Sequence, residues 1–475
     1  MPKEVSPGVL ALRKVVDDVY ADAREAKAQG KLVGWSSSKF PCELAEAFDL
    51  NVMYPENQAA GIAAQRDGEI MCQAAEDLGF DNDICGYARI SLAYAAGKRA
   101  SRKIDLETGE FVIDPNSGKP LKDENGNVVI DEATGKPKKD PKTMKPYIVL
   151  DDIHEIEALP DGREKELRMN AIQPYKQMRI PQPDFVLCCN NICNCMTKWY
   201  ENIARMCNIP LIMIDVPYNN TVEVNDDYVA YIRAQFDNAI KQLEKLTGKK
   251  FDEKKFEEAC KHANRTAQNW LKVCDYLQYK PAPMSGFDLF NHMADVVTAR
   301  GKSAAADAFE LLEKDLDKNI KEGTSTLPFP EQYRVMFEGI PCWPKLPNLF
   351  KPLKANGVNV TAVVYAPAFG FVYNNYDEMV KAYCKAPNSV CIEQGVDWRE
   401  GICRDNKVDG VLVHYNRSCK PWSGYMAEMQ RRFTKDLGIP CAGFDGDQAD
   451  PRNFNEAQYE TRVQGLVEAM QANKK

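Results

Sequence analysis

The sequence predicts an α/β protein: two parallel-sheet domains of the flavodoxin-like or Rossmann-like kind, a mainly helical region connecting them, and a small β-hairpin insertion. Three observations lead there. Short apolar runs bounded by turn residues alternate with helical periodicity towards both ends of the chain, the pattern of a parallel sheet covered by helices. The stretch from 224 to 325 reads as amphipathic helix rich in Lys, Glu and Gln. A chain of 475 residues also exceeds what one hydrophobic core usually holds. The expected domains are 1–223 with the insertion at 100–146, the helical connection 224–330, and 331–475.

In chain order, Ser6 with Pro7 opens a helix whose Val9, Leu12, Val16, Val19 and Tyr20 recur at helical spacing up to Gly30. Leu32–Trp35 is a short buried strand ending in Ser36-Ser37-Ser38, and Pro41 stands in the first turn of the next helix. Asn51–Tyr54 is a second strand, with Pro55-Glu56-Asn57 at its carboxyl end. Ligands of such sheets bind at the carboxyl ends of the strands. Between 100 and 146 four turn-like units follow: Asp105…Gly109, Asp114…Gly118, Asp123…Gly126 and Asp131…Gly135. Asp followed by Gly is turn chemistry, so this is read as a meander of hairpins on the surface rather than a calcium site. The sheet pattern returns at Phe185–Leu187 and Leu211–Pro217. In the last domain strands are expected at Val360–Tyr365, Gly410–His414 and Pro440–Phe444, and a final helix over Asn455–Gln471.

Composition narrows the function. With 61 Lys+Arg against 69 Asp+Glu the net charge is −8, which argues against nucleic acid or an anionic membrane as the main partner. No apolar run approaches the roughly 18 residues that span a bilayer, and Met1-Pro2-Lys3-Glu4-Val5-Ser6-Pro7 has no secretion-signal pattern. The expectation is a cytoplasmic protein with no membrane segment. Sixteen cysteines are then unusual, since a reducing compartment does not keep them as disulfides. Some pack as small hydrophobes, which is the favoured reading for Cys207, Cys260, Cys274 and Cys342. With only 4 His, an all-thiolate iron–sulfur cluster suits the remainder better than a Cys/His zinc site.

Neither a P-loop nor a dinucleotide-binding glycine pattern is present, so ATP hydrolysis and standard NAD binding are not expected of this chain. No Gly-x-Ser-x-Gly nucleophile elbow is present either. Cysteines do stand at strand ends and helix starts. Cys85 begins a helix, Cys188, Cys189, Cys193 and Cys195 crowd the segment after one strand, and Cys419 follows another. Helix N-termini favour thiolates, but this spacing alone leaves cluster ligation and packing both open. Ser36-Ser37-Ser38 and Glu56 form a second constellation, a hydroxyl and a carboxylate at one mouth of a sheet, suited to hydrogen bonding and proton transfer. Taken locally, capping is the plainer role: Ser38 for the helix at Pro41, Glu56 for the next one.

The run Gly34-Trp35-Ser36-Ser37-Ser38-Lys39-Phe40-Pro41-Cys42-Glu43-Leu44-Ala45, the run Asp83-Ile84-Cys85-Gly86-Tyr87-Ala88-Arg89, and Asp409-Gly410-Val411 leading to Cys419 resemble the 2-hydroxyacyl-CoA dehydratase/benzoyl-CoA reductase family from end to end. Tyr54–Gly61 and Cys193-Asn194-Cys195-Met196-Thr197-Lys198-Trp199-Tyr200-Glu201 match its larger, catalytic subunits. The resemblance implies a [4Fe-4S] cluster held by three cysteines, for which Cys85, Cys193 and Cys419 fit, with Cys189 or Cys195 as alternatives to Cys193. It reverses the capping reading and makes Ser38 and Glu56 active-site residues, Ser37 being the nearest competitor of Ser38. The implied activity is a hydro-lyase of anaerobic glutamate fermentation that removes water from a CoA thioester, (R)-2-hydroxyglutaryl-CoA giving (E)-glutaconyl-CoA, by way of a ketyl radical. Another 2-hydroxyacyl-CoA, an aromatic acyl-CoA reductase subunit and a non-catalytic electron-relay subunit are the rival roles. The implied partners are a smaller beta subunit in a heterodimer and a separate ATP-dependent [4Fe-4S] activator. A flavin, FMN or riboflavin, is associated with such complexes, although no flavin motif stands in this sequence.

Overall fold

The structure, a computed structural model, describes residues 5–173, 178–386 and 389–474. The outer ends of the expected domain ranges, 1–4 and 475, lie outside the described residues. The first parallel unit begins with β1 (Val33–Ser36) and β2 (Asn51–Met53). The chain then leaves it for two antiparallel pairs, β3 (Lys98–Arg102) with β6 (Ile148–Asp152) and β4 (Ile113–Asp114) with β5 (Lys145–Pro146), and returns with β7 (Phe185–Cys189) and β8 (Leu211–Ile214). A second unit follows, made of β9 (Tyr333–Glu338), β10 (Val358–Val363), β11 (Gly410–Asn416) and β12 (Cys441–Gly446). Both sheets are four-stranded and parallel, ordered β2-β1-β7-β8 and β10-β9-β11-β12. In each, the third strand of the unit crosses to the far side of the first. The order therefore reverses between β1 and β7 and again between β9 and β11, and such a reversal is where open α/β sheets place their ligands.

Four helices, Asp226–Thr247, Glu253–Asp275, Gly286–Thr298 and Ser303–Glu322, connect the two units. The first helix, Pro7–Ala28, follows Ser6 as expected and packs along Ser303–Glu322. Side chains along each strand alternate between two cores. Val186 and Cys188 face a core shared with Val335, Phe337, Leu412 and Phe444 of the second sheet, whereas Phe185, Leu187 and Cys189 face the helix Asp226–Thr247 on the other side. Because both faces are covered, β1, β7 and β10 are buried along their whole length.

The insertion is the expected meander. Gly109, Gly118, Gly126 and Gly135 all have positive φ, the conformation such turns require. The Asp that opens each turn accepts backbone N–H bonds from its own loop: Asp105 from Glu107 and Thr108, Asp114 from Asn116, Asp123 from Asn125 and Asn127, and Asp131 from Ala133 and Thr134. These turns thus hold themselves through their own carboxylates.

Two differences from the sequence reading have physical causes. The central strand β9 was not expected. Its Arg334 and Glu338 make it look polar, yet both are buried, Arg334 on Glu331 and the carbonyls of Leu277 and Tyr279, Glu338 on Arg399. The short helix after β1 begins at Cys42, with Pro41 just outside it rather than in its first turn.

Candidate active site

Ser36-Ser37-Ser38 leave the carboxyl end of β1, and the segment bearing Cys193 leaves the same end of β7. Glu56 stands in the first turn of the helix Pro55–Ala64. The Ser38 backbone N–H donates to Glu56 Oε1 at 3.0 Å and its hydroxyl donates to Oε2, while the Tyr200 hydroxyl lies 3.4 Å from Oε1 and donates to the Ser36 carbonyl at 2.9 Å. Neither Cys42–Ala47 nor Pro55–Ala64 has a side-chain cap, so Ser38 and Glu56 are bonded to each other and not to helix ends. The Ser37 hydroxyl is engaged elsewhere: it accepts the Cys189 N–H at 2.9 Å and lies 3.4 Å from the Cys189 carbonyl. Of the three serines, Ser38 faces the cavity described below.

Burial pushes the Glu56 carboxyl up to about 7 against the pull of the Ser38 hydroxyl and amide, Tyr200 and the Lys39 ammonium. Near neutral pH both protonation states are populated, which suits a group that takes and returns a proton. The raised value also has a stability consequence. The folded state binds this proton more tightly than the unfolded chain, whose ordinary value is 4.5, so the stabilisation is full below 4.5 and is lost as pH rises towards 7. Glu56→Gln is expected to melt like the wild type near pH 4.5 and above it at pH 8, as thermal melts at the two pH values would register.

Lys39 was not singled out from the sequence. Its ammonium donates to the Ala368 carbonyl at 2.6 Å and lies 4.8 Å and 4.6 Å from the ring centres of Phe369 and Phe371. Burial and the neighbouring Arg300 bring it down to about 7. A lysine inside the otherwise buried run Ser36–Phe40 was the available signal. Through it the β1 loop is fastened to the loop that follows β10.

Glu56 and Ser38 open onto a cavity of about 1260 Å³. Tyr87 closes it from the first unit, and Trp343, Tyr365 and Phe369 close it from the second. The Trp343 indole N–H donates to the Tyr87 hydroxyl. A buried carboxylate bonded by two polar groups thus faces an aromatic wall across the cavity.

All sixteen cysteines are free thiols. Four of them, Cys85, Cys193, Cys195 and Cys419, lie within electrostatic reach of one another. Cys85 precedes the helix Gly86–Ala95, Cys419 precedes the short helix Lys420–Ser423, and Cys193 stands two residues before Cys195–Cys207. On each of Cys85, Cys193 and Cys419 the amide dipole of the residue three further on acts, that of Ala88, Met196 and Trp422 respectively. For Cys85 and Cys419 this is an electrostatic contact and not a closed capping bond. Cys195 is raised chiefly by burial, and the amide that acts against this is that of Cys85. Cys189 faces the opposite core beside Lys39 and Asp215. Burial raises every one of these thiols, so they stay neutral unless a cation deprotonates them.

Among the described residues, no three His, Cys, Asp or Glu side chains are grouped for a single metal ion. A polynuclear cluster makes a different demand, because its thiolates bind separate irons and stand further apart. A donor set made only of thiols is chemically suited to it.

A clamp joins the two units at the thiols. Arg89 is buried and donates to Glu76 at 2.7 Å and Asp450 at 2.9 Å, while Asp447 lies 3.8 Å away. Ser418, next to Cys419, accepts the Gly86 N–H at 3.0 Å. A Cβ on Gly86 would stand 2.6 Å from Asp447 Oδ1 and 2.9 Å from Ala449 Cβ. Gly86→Ala is therefore expected to force the clamp apart and to destabilise the fold by about 1–3 kcal/mol, read as a lowered denaturation midpoint. Arg89 was in a run noted from the sequence, but the carboxylates after β12 were not. Asp447 and Asp450 at the carboxyl end of a parallel strand were the signal available.

No helix among the described residues is long and apolar enough to cross a membrane. Residues 165–470 match the family model described as 2-hydroxyglutaryl-CoA dehydratase, D-component. The chain is 76% identical over 473 residues to the (R)-2-hydroxyglutaryl-CoA dehydratase subunit alpha of Acidaminococcus fermentans, covering 100% of this chain and 99% of that one. It is 45% identical to the (R)-phenyllactyl-CoA dehydratase alpha subunit of Clostridium sporogenes, over 98% of this chain and 95% of that one. With the (R)-2-hydroxyisocaproyl-CoA dehydratase alpha subunit of Clostridioides difficile the identity is 42%, over 98% and 97%.

Proposed function

The chain belongs to the 2-hydroxyglutaryl-CoA dehydratase D-component family, and from that premise we propose that it is the catalytic subunit of a hydro-lyase acting on (R)-2-hydroxyglutaryl-CoA to give (E)-glutaconyl-CoA. The observation that carries the reading is the placement of a bonded Ser38–Glu56 pair on the wall of a large cavity, with Glu56 in electrostatic reach of Cys193 of the thiol group.

The reaction removes a hydroxyl from the carbon beside the thioester and a proton from the next carbon. That proton is not acidified by the carbonyl, so a side-chain base alone is too weak for it. Cys85, Cys193 and Cys419 would hold a [4Fe-4S] cluster, which supplies Lewis acidity towards an oxygen ligand and one-electron chemistry when bound. Glu56 carries the proton: its carboxylate accepts from the β-carbon and its acid form donates to the departing hydroxide. Ser38 and Tyr200 keep the carboxyl oriented towards the cavity, and Ser38 is also placed to hold the substrate oxygen. Tyr87, Trp343, Tyr365 and Phe369 form the aromatic wall of the cavity beside the carboxyl.

An alpha-type subunit implies a partner subunit, a heterodimer with a smaller beta subunit. The family resemblance assigns the low-potential electron to a separate ATP-hydrolysing iron–sulfur activator, and the lack of a P-loop pattern in this sequence agrees with that. No residue of this chain is assigned to FMN or riboflavin. The test is anaerobic turnover by the reconstituted complex with 2-hydroxyglutaryl-CoA and with its uncharged analogue 2-hydroxyisocaproyl-CoA. The expected result is a higher kcat/KM for the dicarboxylic substrate; equal or reversed values would overturn the substrate assignment.

A further inference from the structure

The loop after β12 carries a polar group that the proton chemistry does not use. The Gln448 side chain is buried, and its Nε2 donates to Cys85 Sγ at 3.2 Å across 363 residues of sequence. Its orientation is set from several sides. The Gln448 carbonyl accepts the Trp343 N–H at 3.1 Å, and its Oε1 lies 3.5 Å from the Ser418 hydroxyl, which also accepts the Gly86 N–H. Asp447 Oδ1 accepts the N–H groups of Ala449 and Asp450 at 2.8 and 3.0 Å, so the loop is tied across this residue. The oxygen of the amide is thus turned to the Cys419 side and its N–H to Cys85.

We propose that Gln448 is a positioning residue of the thiol site that sets the reduction potential of the iron–sulfur group through an N–H···S bond to Cys85. The inference rests on the cluster assignment above. Electrons added to a thiolate-bound cluster increase the negative charge on its sulfurs. A buried N–H aimed at one sulfur stabilises that charge and makes reduction easier, and hydrogen bonds to sulfur are among the levers that set cluster potentials. The donation is charge-assisted once Cys85 is deprotonated, and so is stronger than a neutral bond.

The test is redox titration of the anaerobically purified, iron-loaded protein, followed by EPR, for the wild type, Gln448→Leu and Gln448→Glu. Removing the N–H in the leucine variant is expected to lower electron affinity about tenfold, a negative midpoint shift of roughly 59 mV for one electron. The glutamate variant, which places a negative charge beside the sulfur, should move further the same way. A leucine variant with full iron and an unmoved midpoint would overturn the inference and leave the cluster assignment standing. Loss of iron from both variants would make Gln448 a scaffold residue and would overturn it too. Wild-type protein without iron would instead take down the cluster assignment itself.

Discussion

Replacing Cys85, Cys193 or Cys419 by serine is expected to remove the iron of the chain as a unit and to lower turnover by at least about a thousandfold, since the several kcal/mol a bound metal contributes vanish with it. Serine is close in volume to cysteine, so packing changes little. Its hydroxyl does not become an anion at neutral pH, however, and a metal ligand must be deprotonated. The three positions share a local device, a thiol at or near a helix start that feels the amide three residues on. Cys189→Ser serves as the contrast. Cys189 sits on the opposite core and should keep its iron, and so should Cys403→Ser in the core behind β9. Cys195 is the discriminating case, because it belongs to the same group of thiols. The assignment expects iron to be retained in Cys195→Ser and lost in Cys193→Ser; the reverse would move the second ligand to Cys195. Iron content and the EPR signal of each purified variant are the readouts.

Glu56→Gln is expected to lower kcat by about 10²–10⁴, the range attributed to a positioned proton carrier, while iron content stays at the wild-type value. The amide is isosteric and can still accept the Ser38 N–H, so the local geometry survives and the proton does not move. Ser38→Ala should cost less, because the Ser38 amide and Tyr200 still reach the carboxylate. A Glu56→Gln enzyme with full iron and wild-type kcat would assign the proton transfer to another group. The same variant removes the pH-dependent stability change argued for Glu56, so one protein separates the kinetic consequence of the carboxyl from the structural one.

The parallel units were legible because their signals are local. Strands such as Gly410–Asn416 are built on an apolar run, here Val411–Val413, turns of the insertion carry Asp and Gly, and the serines and cysteines stand where strands end. The cysteines were legible as a crowd but not as a set, since each had packing as an equal alternative until the family resemblance selected three. What escaped the reading are contacts made across the chain. Lys39 meets Ala368 at a separation of 329 residues, Arg89 meets Asp450 at 361 and Gln448 meets Cys85 at 363. A one-dimensional pattern holds no trace of such pairs. β9 was missed for a related reason: Glu338 is paired with Arg399, 61 residues away, and Arg334, beside its local partner Glu331, is buried on the distant carbonyls of Leu277 and Tyr279, while in the sequence both read as surface.

The most direct test is the iron and acid-labile sulfide content of the full-length protein purified without oxygen. The account predicts about four irons and about four sulfides per chain, carried by thiols that burial would otherwise keep protonated. A folded, stable protein with neither iron nor sulfide, and with Cys85, Cys193 and Cys419 all free to react with a thiol reagent on unfolding, would contradict it.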